Sequence, residues 1–292
     1  MGLENIADGL INATYLVLIS LAFCVAASHG KYLPLWVPYA GVLGAYVAHK
    51  AAEGWEMPLT LALAAGLLLP VVICVSVHYA LFRGHVERGE PYAALLRAIA
   101  LTVFVESALG WATQGYALSY SRLKLGWSEY YPSIGRTLKA ADLLALLSAV
   151  VLAPTLTYVL RRTWPGLAFR SVSSNRALAR DYGIRVGRVD LAVLAACGAL
   201  SAAGAIMYGM NYDLSPQMLG EPTMKVAAAV VAFGAERPER VIACVLALGI
   251  IGAFAQSSTY AAPFAGAVGY VLLIGALLAR YAMPHSLKRQ PA

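Results

Sequence analysis

Charge is scarce in this chain. Of its 292 residues only 13% are Asp, Glu, Lys or Arg, while 60% are hydrophobic. The mean hydropathy is +0.67. Apolar residues gather in long runs, which excludes an ordinary soluble domain and defines an integral membrane protein. Catalytic signatures are also missing. There is no G-x-x-x-x-G-K-[ST] loop, so the chain carries no P-loop of its own for ATP. H-E-x-x-H, G-x-S-x-G and the paired Asp-rich motif of a metal-dependent transferase are absent too, which disfavours an intramembrane enzyme. Cysteine is sparse: Cys24, Cys74, Cys197 and Cys244 lie one per apolar segment, without C-x-x-C or Cys/His spacing. They read as small core residues, neither a metal site nor a disulfide framework. The net charge of +7 arises from loops that flank apolar runs and gives no nucleic-acid footprint.

What is present is a series of windows without charge, at 11–30, 32–49, 57–82, 143–160, 191–212 and 241–279. Most approach or exceed the roughly 20 residues that a helix needs to cross the hydrocarbon of a bilayer. They predict an all-α integral membrane protein of about eight transmembrane helices, near 11–28, 33–49, 57–80, 92–116, 141–160, 190–210, 239–258 and 261–282. A ninth apolar piece at 226–235 is too short to span alone, so it is a broken crossing or a re-entrant segment. The whole of 1–292 reads as one transmembrane domain. Its first run has no Lys or Arg ahead of it and no small-residue cleavage site after it, so it is expected to be a retained helix.

Basic residues set the expected orientation. With the amino terminus outside and 226–235 crossing, 16 Lys and Arg fall on the inner side against six outside. If 226–235 only dips and returns, the ratio becomes 11 to 11. The positive-inside bias selects the crossing arrangement, with the carboxyl terminus in the cytoplasm.

Seven arginines lie between 161 and 188, with one internal acid, Asp181. Burying each in hydrocarbon would cost about 2.5–3.5 kcal/mol, so this loop stands in water or against a soluble partner. Within it Asn175 suits an N-cap and Gly183 a left-handed stop, which predicts a short helix over 176–182. A helix so short does not persist alone, so Ala177, Leu178 and Tyr182 are expected to pack against something. By composition alone the loop reads as an ordinary basic cytoplasmic loop that binds anionic lipid headgroups.

The order Gly166, Arg170, Val172, Asn175, Ala179, Gly183-Ile184 and Val189 resembles the cytoplasmic loop of ABC-importer permeases of the branched-chain amino acid type. GALSAAGAIMYGMNYDLSP (198–216), MKVAAAVVAFG (224–234) and NATYLVLISLAF (12–23) are similar to other helices of that family. Two places depart from it. Pro34-Leu35-Trp36-Val37-Pro38 stands where the family has Asn-Phe-Ala-His-Gly, and Ala232 to Glu236 replace a glycine-rich turn.

The resemblance implies a permease subunit that holds no cofactor itself, with ATP and Mg on partner ATPase subunits. It implies four kinds of neighbour: a second permease subunit, two ABC ATPase subunits, an external (periplasmic) substrate-binding protein and the bilayer of a bacterial inner membrane. Hydrophobic amino acids are the implied cargo. The 161–189 loop then couples to the ATPase through Arg170, Asn175, Arg176, Leu178, Ala179, Arg180, Tyr182 and Gly183.

Pathway residues are sought among polar groups in apolar runs. Glu106 is the one acid well inside a span, where it costs about 2.5 kcal/mol facing lipid. It contacts the amino group of a substrate or makes a structural hydrogen bond; in a stand-alone secondary transporter or channel it would be the ion or proton site. Gln114 is expected two turns further on the same face, and Tyr15 and Lys225 join the pathway by resemblance. Arg97 is expected to snorkel to the inner interface, and Asp142 to complement a helix dipole. His49 and His78 read as isolated core histidines. Trp36, Trp55, Trp111, Trp127 and Trp164 read as an interfacial belt.

Overall fold

A computed structural model describes residues 2–120, 128–131 and 136–257, with 266–267, 270–271, 274–275 and 278 beyond them. Apart from one hairpin, the regular elements of the described chain are all helical. In order come α1 (Gly2–Gly30), α2 (Trp36–His49), α3 (Leu59–Val77), α4 (Arg83–Arg88), α5 (Pro91–Ala112), β1 (Ser128–Tyr131), β2 (Arg136–Lys139), α6 (Ala140–Arg162), α7 (Trp164–Ser174), α8 (Arg176–Asp181), α9 (Val186–Asn211), α10 (Gly220–Phe233) and α11 (Pro238–Ser257). A π-helical turn at Lys50–Gly54 prolongs α2, and another at His78–Phe82 joins α3 to α4.

Six described helices are long and apolar enough to cross a membrane: Gly9–Gly30, Leu59–Arg88, Pro91–Ala112, Asp142–Arg162, Val186–Asn211 and Pro238–Ser257. The span expected at 33–49 is instead the 14-residue α2, buried along most of its length. The span expected at 261–282 lies largely outside the described residues. The antiparallel hairpin pairs Ser128 with Lys139 and Tyr131 with Arg136, in a connection that the hydropathy pattern left blank.

α1 is the centre of the bundle. It packs along α11 and α9 and also touches α6 and α10. Its residues from Ala13 to Ala27 are buried on every side, as expected of a helix that is apolar all round. Small residues permit the close approaches: a Cβ added at Gly198 of α9 would lie 2.7 Å from the Pro70 carbonyl oxygen of α3. By contrast α3, α5 and α6 turn large apolar side chains outward, among them Leu68, Val72, Phe104, Leu147 and Val150.

The two ends of the bundle differ. At one end Lys31 Nζ donates to the Ser174 carbonyl at 3.0 Å and Ser28 Oγ to the Ala235 carbonyl at 2.9 Å. Arg161 pairs there with Glu239. This end gathers the arginines of 161–188. At the other, Leu118 and Leu214 form a backbone bridge, with the Tyr46 hydroxyl donating to the Leu214 carbonyl at 3.3 Å. The chain leaves α9 at the Leu214 end and reaches Gly234, beside Ser28, at the arginine end. Residues 212–219 and α10 together therefore return it across the bundle. The irregular stretch is tolerated because Leu214, Met218 and Leu219 are buried in protein.

One of the tryptophan expectations changes. Trp36 is no belt residue: it is 2% exposed, stacked on Phe82 at 5.5 Å and donating to the Tyr32 hydroxyl at 3.3 Å. Trp55, Trp111 and Trp164 are exposed at helix ends, and Trp127 lies outside the described residues. The four cysteines are free, three of them buried. Arg97 Nη1 donates to the Leu81 carbonyl in the second π turn at 2.6 Å.

Candidate functional site

The arginine-rich end carries a built element. Thr163 caps α7, its hydroxyl accepting from the Gly166 amide at 3.4 Å, and Pro165 occupies the first turn, where its missing N–H costs nothing. α7 buries Gly166, Phe169 and Val172 along one face, leaves Ala168, Ser171 and Ser173 half-buried and exposes the others. The sequence predicts loop over this stretch, and the structure makes it helix. Asn175 then ends α7 and begins α8, its Oδ1 accepting from the amides of Ala177 and Leu178, each at 3.1 Å. Gly183, at φ 80°, stops α8. The helix expected at 176–182 is thus found at Arg176–Asp181, with both expected caps.

Its inward face differs from the one expected. Ala179, 3% exposed, packs with Val172 and Val186, while Leu178 is 52% and Tyr182 78% exposed. One side of α8 therefore closes on α7 and α9, and the other presents Leu178, Arg180 and Tyr182 to the surroundings. Arg180 Nη2 stands 3.9 Å from Glu87 of α4, an exposed pair of little energetic weight. Arg170 reaches the Arg161 carbonyl at 3.4 Å.

Arg176 points inward. Its guanidinium makes two contacts with the Asp190 carboxylate of α9, at 3.2 and 2.9 Å, the fork geometry that arginine supplies and lysine does not. His29, at the end of α1, completes the group: its Nε2 lies 2.8 Å from Asp190 Oδ1 and 2.7 Å from Arg176 Nη2. Nε2 donates to Asp190 or accepts from Arg176, but not both, because it bears at most one hydrogen. Phe169 of α7 stacks on the His29 ring at 6.1 Å, and His78 lies 6.2 Å away. The first residue of α8 is thereby tied to α1 and α9 through a buried ionic knot. His29 and Asp190 escaped the sequence reading, because an acid at one helix start and a histidine at another helix end meet only once the bundle exists.

The expected pathway residues do not converge. Tyr15 is fully buried, and its hydroxyl donates to Asp142. Asn211 Nδ2 lies 2.5 Å from both the Tyr15 hydroxyl and Asp142 Oδ1. Asp142 Oδ2 accepts from the Lys139 amide at 3.0 Å, so the capping expected of it is present beside a cross-link of α1, α6 and α9. Glu106, half-buried on α5, faces the Tyr39 hydroxyl of α2, with Tyr270 nearby. Gln114 does not share its helix face: α5 ends at Ala112, and Gln114 and Gly115 both take left-handed backbone, at φ 53° and 74°. Lys225, expected in the pathway by resemblance, is 8% exposed on α10 and pairs with Glu221 at 2.5 Å. His49 Nε2 contacts the Ser119 carbonyl at 3.3 Å. No cluster of three or more metal-ligating side chains occurs among the described residues.

A bundle of apolar helices with one capped, water-facing helix pair at its charged end defines a multi-pass membrane protein. The chain belongs to the family of branched-chain amino acid transport system permease components, whose family model matches residues 5–279. No curated protein and no solved structure matches the chain at a significant level.

Proposed function

We propose that the chain is the membrane-spanning subunit of an ATP-driven (ABC) importer, forming the pathway for a small solute, with branched-chain or other hydrophobic amino acids as cargo. The arginine-rich end faces the cytoplasm in this reading, which the positive-inside bias supports. The amino terminus is then outside, in the inner membrane of a bacterium. A second permease subunit, two ATPase subunits carrying ATP and Mg, and an external binding protein complete the assembly. This chain contributes the conduit and none of the hydrolysis.

The observation that carries this reading is α8. It is capped at both ends, presents Leu178 and Tyr182 to the outside, and is locked to the bundle through Arg176 and Asp190. A six-residue helix is too short to exist for its own stability. Held rigidly, it can transmit a push from a docked ATPase into α1 and α9, shifting which side the pathway faces. Replacing Arg180 and Tyr182 with Ala should leave insertion intact and uncouple uptake from ATP hydrolysis. Unchanged uptake would remove the lever role.

A second reading rests on Glu106 and its Tyr39 neighbour: a stand-alone secondary transporter or channel with Glu106 as ion or proton site. Co-purification separates the two. Retention of two ATPase chains supports the importer, and proton-coupled flux through the purified single chain supports the alternative.

A further inference from the structure

A partly enclosed cavity of about 300 Å³ lies at the arginine-rich end between α1, α6, α7 and the turn joining α10 to α11. The ionic knot and the exposed face of α8 take no part in it. Its inner wall is apolar, made by Cys24, Val25, Leu160 and Phe169. Cys24 is six residues before Gly30, about 9 Å deeper along α1, so the apolar wall lies below a polar rim.

That rim holds both signs of charge. Arg161 and Arg170 stand on the α6–α7 side and Glu236 on the α10–α11 turn. Arg161 is engaged by Glu239, whereas Arg170 donates to the Arg161 carbonyl and makes no ion pair among the described residues. Glu236 makes no ion pair among the described residues. Ser173 also belongs to the lining, with its hydroxyl turned into the protein. Ser28 bonds the Ala235 carbonyl and fixes the turn that carries Glu236.

We propose that this cavity binds a free α-amino acid with an apolar side chain from the cytoplasmic side. The Arg170 guanidinium takes the carboxylate, Glu236 takes the ammonium group, and the side chain enters the wall of Val25, Leu160 and Phe169. Each charge on the rim then meets its opposite, which a simple anion or cation cannot achieve. The volume is at the lower end of the roughly 300–1,000 Å³ of small-molecule pockets, enough for a leucine and far too little for a whole phospholipid. An ethanolamine phospholipid headgroup carries the same pair of charges, so the test must separate the two sources. The proposal rests on the proposed function for its orientation and for the class of amino acid.

The test is calorimetric titration of the full-length chain, in nanodiscs free of ethanolamine lipid and without binding protein, using L-leucine. Saturable binding is expected. Arg170→Ala and Glu236→Gln should each weaken it about tenfold or more, with Arg170→Lys retaining part of the affinity. 4-Methylpentanoate, which lacks the ammonium group, and 3-methylbutylamine, which lacks the carboxylate, should bind at least about tenfold more weakly than leucine. Unchanged helical circular dichroism guards against misfolded variants. Absence of saturable leucine binding overturns the proposal, as does binding indifferent to Arg170→Ala or equal binding of the carboxylate analogue. Occupation by added ethanolamine phospholipid with no leucine binding also overturns it. ATP-dependent uptake by the assembled complex is measured alongside. Uptake without binding removes this site alone, and binding without uptake removes the importer reading alone.

Discussion

The Arg176 guanidinium holds the Asp190 carboxylate through two contacts, at 3.2 and 2.9 Å, with both side chains largely withdrawn from water. A buried pair of this kind owes its effect to completeness: one partner left alone is a desolvated charge, while removal of both restores neutrality. Asp190→Asn should therefore destabilise the protein by about 3–5 kcal/mol. The double variant Arg176→Met/Asp190→Leu should recover much of that loss. Thermal unfolding in detergent checks both, and equal damage in single and double variants would show that the pair is not a unit.

Gly183 tests the stop of α8. Its φ of 80° is a conformation that side chains resist, yet a Cβ built there meets no atom within 4 Å. Gly183→Ala should cost about 1–2 kcal/mol through backbone strain alone. Gly183→Asn should cost less, because Asn tolerates the left-handed region. Equal losses would place the cause in packing.

Asn175→Ala removes the acceptor for two amides and should cost about 1 kcal/mol, within the usual range for a lost N-cap. Asn175→Ser should restore most of it. Hydrogen exchange at the Ala177 and Leu178 amides reads this locally and should accelerate in the alanine variant only.

Tyr15 separates a structural role from one in the pathway. Its hydroxyl is buried against Asp142 and Asn211, so Tyr15→Phe should lower stability by about 1–2 kcal/mol and leave the uptake KM unchanged. A several-fold change in KM at unchanged stability would return Tyr15 to the pathway.

Gly198→Val should prevent close packing of α9 on α3, because its Cβ would fall 2.7 Å from Pro70 oxygen and from Val71 Cα. Folded yield should collapse. Gly187→Ala, in the same helix with its nearest neighbour the Tyr79 hydroxyl at 3.8 Å, should be tolerated.

Hydropathy made most of the membrane helices legible, since an apolar run free of charge has few alternatives in lipid. Asn175 and Gly183 were legible for a different reason: each acts on backbone within three residues of itself. Relationships that need the third dimension stayed hidden. Asp190 and His29 lie 161 positions apart and meet only across the α1–α9 contact. α7 was missed because its arginine and serines mask an apolar face of only Gly166, Phe169 and Val172. Gln114 was misplaced because nothing in LGWATQGY announces that α5 ends at Ala112, before the left-handed pair Gln114-Gly115. Glu106 was singled out by charge alone; its partner Tyr39 belongs to α2, whose burial the hydropathy pattern could not distinguish from a lipid-facing span.

The central claim is that α8 is a rigid lever between an ATPase and the bundle. The direct measurement is the number of amino acid molecules imported per ATP hydrolysed, in proteoliposomes containing the assembled complex, for wild type and for Leu178→Ala/Tyr182→Ala. The account predicts that hydrolysis persists while import falls at least about tenfold, so that the ratio collapses. An unchanged ratio in the variant would contradict it.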